Sequence, residues 1–384
     1  MYRNYYPPAD WEKIMAFSQS KETPFLVVLL DRVRRKYQEF RANFPTAKIY
    51  YAVKANPGIE VLASLRDLGS HFDIASIYEL DRVLGLGVSA DRMSFGNTIK
   101  KARHIREAHE KGVRLFTSDC EMDVRNLARE APGSRVFFRL LMDAVSSDSD
   151  WPLSRKFGCQ PRMSTDLMLL AADLGLEPYG VSFHVGSQQR EIPAWDAAIG
   201  QVHSLFDWME KEHFRLKAIN MGGGFPADYL VKANSLSVYA EEINRYLGQY
   251  FGKSVPQIYL EPGRGLVGDA GVLVSEIVTI ARKSRTDLKR WIYTDVGIFN
   301  GLMETLGESI KYPVYTEKQG ETGDVIMAGP TCDSLDIMYE HFKYQLPLSL
   351  ESGDRLYWLS TGAYTASYSA IEFNGFPPLK TYYL

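Results

Sequence analysis

The stretch KIYYAVKANP, Lys48 to Pro57, decides the fold. Ile49, Tyr50, Tyr51 and Val53 are β-branched or aromatic, the residue types that fill a strand. Asn56-Pro57 closes the run, and Lys54 stands where the strand gives way to its loop. An ammonium in that place has two readings. It is an ordinary surface lysine at a strand end, or it is an amine held ready for covalent chemistry.

Working outward, seven more short β-type runs follow: HFDIAS (71–76), RMSFGN (92–97), VRLFTSD (113–119), RVFFRLL (135–141), YGVSFHVG (179–186), KAINMGGG (217–224) and QIYLEPG (257–263). Between them lie segments with apolar spacing near 3.6, such as IEVLASLRDLG (59–69), IYELDRVLGLG (77–87) and TDLMLLAADLG (165–175). Several end in glycine, the usual residue just past a helix C-terminus. Asp119 and Thr165 are N-cap candidates, and DRVRRKYQEFRAN (31–43) predicts a helix ahead of the first strand. Eight strands with interleaved helices predict a parallel (β/α)8 barrel.

After about residue 270 the pattern changes. GVLVSEIVTIARK (271–283), RWIYTDVG (290–297), DVIMAGPTCD (324–333) and DRLYWLSTGAYT (354–365) are strand-like, and TEKQGETGD (316–324) is a polar turn or loop. The predicted class is α/β: a barrel over 29–270 and a β-rich, sandwich- or barrel-like domain from 1–28 plus 271–384. TPFLVVLL (23–30) suits either, since a barrel inserted into a β-domain takes a strand from each side of it.

With 384 residues the chain has room for both. A formal charge of −3 gives no basic footprint for nucleic acid or an anionic membrane. No apolar run approaches 18 residues, and the first residues lack a secretory signal pattern. Three cysteines, Cys120, Cys159 and Cys332, are a sparse odd set that predicts a reducing, cytoplasmic setting. No CxxC or HExxH spacing marks a metal site.

Active sites of (β/α)8 barrels lie at the C-terminal strand ends. There the sequence places Lys54, Asp73 with Ser76, Asn97, Arg139, His184 with Ser187, Gly222-Gly223-Gly224, and Glu261 with Arg264. Each has a bland alternative. His184 suits a satisfied core histidine, the glycines a tight turn, Glu261 and Arg264 a surface pair, Cys332 an inert thiol, and Asp295 and Asp333 turn residues. A full ring is harder to explain by stability, because bunching polar groups in a barrel mouth costs desolvation.

On the motifs YYAVKANP, FHVGSQ, GGGFP, EPGR, GPTCDSLD, GAYT and FNGF, taken in this order, the sequence resembles the fold type III, alanine-racemase-like pyridoxal-phosphate decarboxylases, and among them the ornithine decarboxylase branch. The resemblance covers essentially the whole chain. It implies a homodimer with shared active sites and pyridoxal 5'-phosphate held covalently by Lys54. His184 would stack on the cofactor ring and Glu261 would pair with its nitrogen. Ser187, the glycines 222–224, Arg264 and Tyr364 would hold the phosphate, with Asp73 and Arg139 in support. Cys332 and Asp333 would reach in from the other subunit. Asp295 and Asp333 would receive the far ammonium of a diamino acid, with Tyr293 and Phe373 completing the substrate set.

The residue types suit that chemistry. A lysine in apolar surroundings is the amine that condenses with an aldehyde, a carboxylate keeps a ring nitrogen protonated, and a thiol can return a proton. Diaminopimelate decarboxylases carry an arginine shortly after the segment matching TDVGIFN; DVGIFNGLMETL has none. The resemblance therefore implies a basic L-amino acid as substrate, ornithine giving putrescine in polyamine synthesis. The alternatives are a lysine/ornithine, carboxy(nor)spermidine or specialised-metabolite decarboxylase, or a cofactor-free decarboxylase-like regulator.

Overall fold

The computed structural model describes residues 2–142, 149–151 and 156–384. All eight expected strands form one closed parallel barrel: Lys48–Ala52, His71–Ile74, Met93–Phe95, Leu115–Ser118, Arg135–Arg139, Glu177–Ser182, Ala218–Asn220 and Gln257–Leu260. Closure comes where Tyr259 and Leu260 register with Lys48 and Ile49. The helices fall in the expected intervals, Ile59–Asp67, Ile77–Leu84, Ala102–Glu110, Glu121–Glu130 and Pro161–Asp173 among them. Both N-cap expectations are corrected. The Asp119 carboxylate accepts the Gly158 N–H at 2.8 Å and leaves Cys120 as the residue before its helix. Thr165 lies inside its helix, which Pro161 starts, because proline's fixed φ suits the first turn.

Strand side chains alternate between faces, and in the barrel this separates an apolar plug from a polar mouth. Tyr50, Leu115, Phe137, Tyr179, Ala218 and Tyr259 form one buried cluster. Its neighbouring rings lie 5.2–6.2 Å apart, and the Tyr179 and Tyr259 hydroxyls share a 3.0 Å hydrogen bond. Two residues further along the strands the register aligns Ala52 with Asp73, Asp73 with Ser94, Arg139 with Ser182, and Ser182 with Asn220.

Contacts group the chain into two compact units, Arg34–Pro226 with Asn234–Leu266, and Met1–Val33 with Ala227–Ala233 and Val267–Leu384. Residues 29–33, 227–233 and 267–270 thus fall outside the barrel unit, unlike the 29–270 expectation. The second unit is an eight-stranded sheet. Phe25–Val28 belongs to it, antiparallel to Gly271–Val274 and parallel to Lys380–Tyr383. The helix Pro8–Ser18 covers this region, with Trp11 and Ile14 packed on Tyr6, Phe25, Val27, Val272 and Tyr357. Among the described residues no helix is long and apolar enough to cross a membrane.

Candidate active site

Lys54 lies in a short 3-10 turn, Val53–Ala55, directly after the first barrel strand. The turn is fixed from two sides. The Tyr51 hydroxyl donates to the Asn56 carbonyl at 2.9 Å, and the Ala52 N–H donates to Pro262 at 3.2 Å, tying the first strand end to the EPGR loop. Lys54 Nζ stands 3.0 Å from Asp73 Oδ2; the lysine side chain is 48 % exposed and the aspartate 4 %. This corrects the apolar pocket expected around the amine: the barrel mouth keeps Nζ accessible and ion-paired. Asp73 packs against Gly96, where a Cβ would come within 2.0 Å of Oδ1, and that buried Oδ1 has no hydrogen bond among the described residues.

Glu261 closes the ring. The Asn220 side-chain amide donates to its Oε1 at 2.6 Å, Asn220 Oδ1 accepts the Gly222 N–H at 2.9 Å, and the Glu261 N–H donates to the Gly222 carbonyl at 2.7 Å. Burial, reinforced by the Asp73 charge, pushes the Glu261 carboxyl up to about 7, opposed by Lys54, Asn220 and Arg139. Arg139 is half-buried, its guanidinium 4.8 Å from the Phe157 ring centroid, and desolvation lowers its pKa against the pull of Glu261, Asp119 and Asp73.

The His184 Nδ1 accepts the Gly186 N–H at 3.0 Å. Burial, with Arg139 and Lys54 adding positive charge, holds it down to about 3, so the ring is a neutral imidazole with its proton on Nε2. The glycine triplet passes so close that only glycine fits. A Cβ on Gly222 would lie 2.4 Å from the Phe183 carbonyl oxygen, one on Gly223 2.7 Å from that of Glu261, and one on Gly224 2.7 Å from Val185 Cγ2. Gly222 and Gly224 also have φ of +63° and +99°, which side-chain-bearing residues rarely adopt. Arg264, 4 % exposed, donates from Nε and Nη2 to the Ser187 hydroxyl at 3.3 and 3.2 Å.

Lys54, Asp73, Arg139, His184, Ser187, the glycines, Glu261 and Arg264 all belong to the barrel unit. Ser76 and Asn97, also read from strand ends, serve the scaffold instead. Ser76 accepts the Glu79 N–H, and Asn97 braces the Ala75 carbonyl. Two site residues escaped the sequence reading. Asn220 ends a strand inside KAINMGGG, an available signal; Glu79, whose carboxylate accepts the Ala75 N–H at 2.6 Å and senses Lys54 and Asp73, gave none.

The remaining candidates lie in the β unit. Asp295 accepts the Glu276 N–H at 2.8 Å, and burial raises its pKa. Tyr293 accepts from Lys283 at 2.7 Å beside Trp291. Cys332 is an exposed free thiol whose N–H donates to Asn374. Asp333 Oδ1 accepts the Leu335 N–H at 2.9 Å. Tyr364 has a φ of +56° and its ring lies 5.6 Å from Tyr368; Phe373 packs on Phe299 at 5.0 Å.

This barrel mouth can hold a flat, anionic aldehyde cofactor. It offers an accessible amine, an unsatisfied carboxylate oxygen, a carboxyl for a ring nitrogen, a neutral ring for stacking, and a glycine cradle beside a buried guanidinium for a phosphate. Residues 30–268 match the pyridoxal-binding domain of the pyridoxal-dependent decarboxylases, and the chain belongs to that family. It is a pyridoxal-phosphate-dependent decarboxylase. It is similar to the lysine/ornithine decarboxylase of Selenomonas ruminantium, 34 % identical over 366 residues, 95 % of this chain and 90 % of that protein. Ornithine decarboxylase of Schizosaccharomyces pombe is 34 % identical over 373 residues, 94 % and 83 % of the two chains. In structure it resembles the lysine/ornithine decarboxylase of Vibrio vulnificus complexed with cadaverine, with a TM-score of 0.87, 28 % identity, and 98 % and 99 % of the chains covered.

Proposed function

We propose that the enzyme decarboxylates a basic L-amino acid, ornithine before lysine, in a cytoplasmic homodimer whose sites are shared. The observation that carries the substrate class is the pair Asp295 and Asp333, with no arginine in DVGIFNGLMETL to offset them. The names of the Selenomonas and Schizosaccharomyces relatives point the same way. Separate incubations with equal concentrations of ornithine, lysine or diaminopimelate, followed by mass spectrometry, should give putrescine fastest from ornithine, cadaverine more slowly from lysine, and almost no lysine from diaminopimelate. Preference for diaminopimelate would overturn the assignment.

Each residue then has a task. Pyridoxal phosphate, when bound, supplies the electron sink for the pair left behind by departing CO2. Lys54 anchors the group covalently, and Asp73 orients the amine. Glu261 keeps the ring nitrogen protonated, and Asn220 holds that carboxylate in place. His184 presents a neutral face for stacking. Ser187, Arg264, Tyr364 and the glycines receive the phosphate, and Cys332 returns a proton to Cα. Tyr293 and Phe373 would line the substrate side, although the Tyr293 hydroxyl is already engaged by Lys283.

Three outcomes are expected. Gly224→Ala puts a Cβ into Val185 at a φ of +99°, and should weaken cofactor binding by about tenfold or more, read by fluorescence titration. Asp333→Ala removes a carboxylate assigned to the far ammonium. It should cut kcat/KM for ornithine by about 30-fold or more with the cofactor absorbance retained, on the scale of truncating a buried charge pair. Mixing inactive Lys54→Ala with inactive Cys332→Ala subunits should restore up to about a quarter of wild-type sites by random pairing. If subunits exchange and nothing returns, each site is built within one chain.

A further inference from the structure

Of the motif FNGF, only Phe373 has been given a task so far. Its neighbour Asn374 makes a contact of its own. Asn374 Oδ1 accepts the Cys332 N–H at 2.9 Å, across 42 positions of the chain and within the β unit.

The turn is shaped for that contact. Glu372, Asn374 and Gly375 have φ of +58°, +52° and +77°, a left-handed backbone that asparagine tolerates better than most side chains. The Gly375 N–H donates to the Glu372 carbonyl at 2.9 Å, and the Phe376 N–H to the Phe373 carbonyl at 3.2 Å. Two contacts anchor the turn. The Phe373 ring lies 5.0 Å from that of Phe299, and the Ala370 N–H donates to the Phe299 carbonyl at 2.7 Å. Asn374 itself is exposed, so packing does not account for its conformation. What the conformation delivers is an amide oxygen aimed at one N–H of another loop.

That loop is held one residue earlier as well. The Thr331 N–H and hydroxyl donate to the buried Asp336 carboxylate at 3.0 and 2.7 Å. Two successive N–H groups, of Thr331 and Cys332, are therefore pinned, one from the interior and one from the surface. The free Cys332 thiol stands on this fixed backbone, and its reach is left to rotation about χ1.

We propose that Asn374 is a positioning residue that fixes where the Cys332 thiol delivers its proton. The proposal rests on the proton-donor role given to Cys332 above. In that step the thiol gives its proton to Cα, sulfur keeps the electron pair as a thiolate, and water returns a proton to the exposed sulfur. Transfer requires hydrogen-bond reach between donor and acceptor, and a backbone released at Cys332 no longer holds that distance.

The test uses two variants, with and without the thiol. Asn374→Gly accepts the left-handed backbone and removes the acceptor. Asn374→Asp keeps both. In the cofactor-free protein, the Cys332 amide of Asn374→Gly should exchange its hydrogen about tenfold faster, read by mass spectrometry of the peptide. In the loaded enzyme, Asn374→Gly should lower kcat for ornithine by about five- to tenfold with KM unchanged, the scale of one lost hydrogen bond, and Asn374→Asp should stay within about twofold of wild type. On a Cys332→Ala background Asn374→Gly should cost nothing more, because a residue that acts through the thiol has no effect once the thiol is gone. An equal loss with and without the thiol makes Asn374 a scaffold residue and overturns the proposal. So does unchanged kcat in Asn374→Gly when Cys332→Ala alone is impaired. Wild-type turnover in Cys332→Ala removes the proton-donor role instead, and the positioning role falls with it. Should Asn374→Gly fail to fold, Asn374→Ala is read in the same way.

Discussion

Borohydride reduction of the loaded enzyme should fix the cofactor on Lys54, and Lys54→Ala should lower turnover by about 10³-fold or more. The amine sits at the first strand end in a turn clamped by Tyr51, Asn56 and Pro262, and Asp73 fixes where Nζ points. The alanine variant loses the covalent anchor and the group that orients the reacting centre together, and positioning alone supplies much of a catalytic barrier. Peptide mapping should put the label on the fragment containing YYAVKANP. A label on another lysine, with Lys54→Ala still labelled, would falsify the assignment.

Glu261→Gln should bind cofactor and turn over about 10²-fold or more slowly, the scale of losing one preorganised electrostatic contact. The glutamine keeps the Asn220 partner and the shape but cannot hold a ring nitrogen protonated by charge. The same variant has a pH signature in the cofactor-free protein. Folding raises the Glu261 carboxyl from its ordinary value of 4.5 to about 7, so between those values the folded chain binds more protons than the unfolded one. Stability through this group therefore falls as pH rises from about 4.5 to about 7. His184, held down to about 3, works in the opposite sense and loses stability as pH falls below its ordinary value near 6.5. Melting curves of wild type and Glu261→Gln, compared over this window, isolate the glutamate. Identical pH slopes would mean that Glu261 does not titrate there.

The barrel was legible because strands buried on both faces read as unbroken β-branched and aromatic runs, and Phe72, Phe95, Phe116 and Val136 are such residues. The site was legible because a barrel delivers strand ends to one place. Strand-end position was over-read for Ser76 and Asn97, since small polar residues there cap and brace by default. The strand Ile337–Pro347 was missed: its burial pattern is broken where the register with Thr322–Ala328 shifts, and His341 and Lys343 lie between its buried residues. Asp336 stands three residues after Asp333, yet nothing in GPTCDSLD marks it as the buried carboxylate that accepts the Ile298 and Thr331 N–H groups. That role depends on glycines 297 and 329, which approach it only in the folded chain.

The strand Phe25–Val28 lies between Gly271–Val274 and Lys380–Tyr383. During translation it therefore leaves the ribosome long before either neighbour exists. At ordinary elongation rates a flat run of four buried apolar residues waits unpaired for roughly tens of seconds, while the barrel strands emerge behind it. Nascent chains interrupted before residue 271 would present FLVV as an open edge able to template pairing with another chain. The demand for chaperones should therefore persist from the emergence of FLVV until Gly271–Val274 and Lys380–Tyr383 arrive.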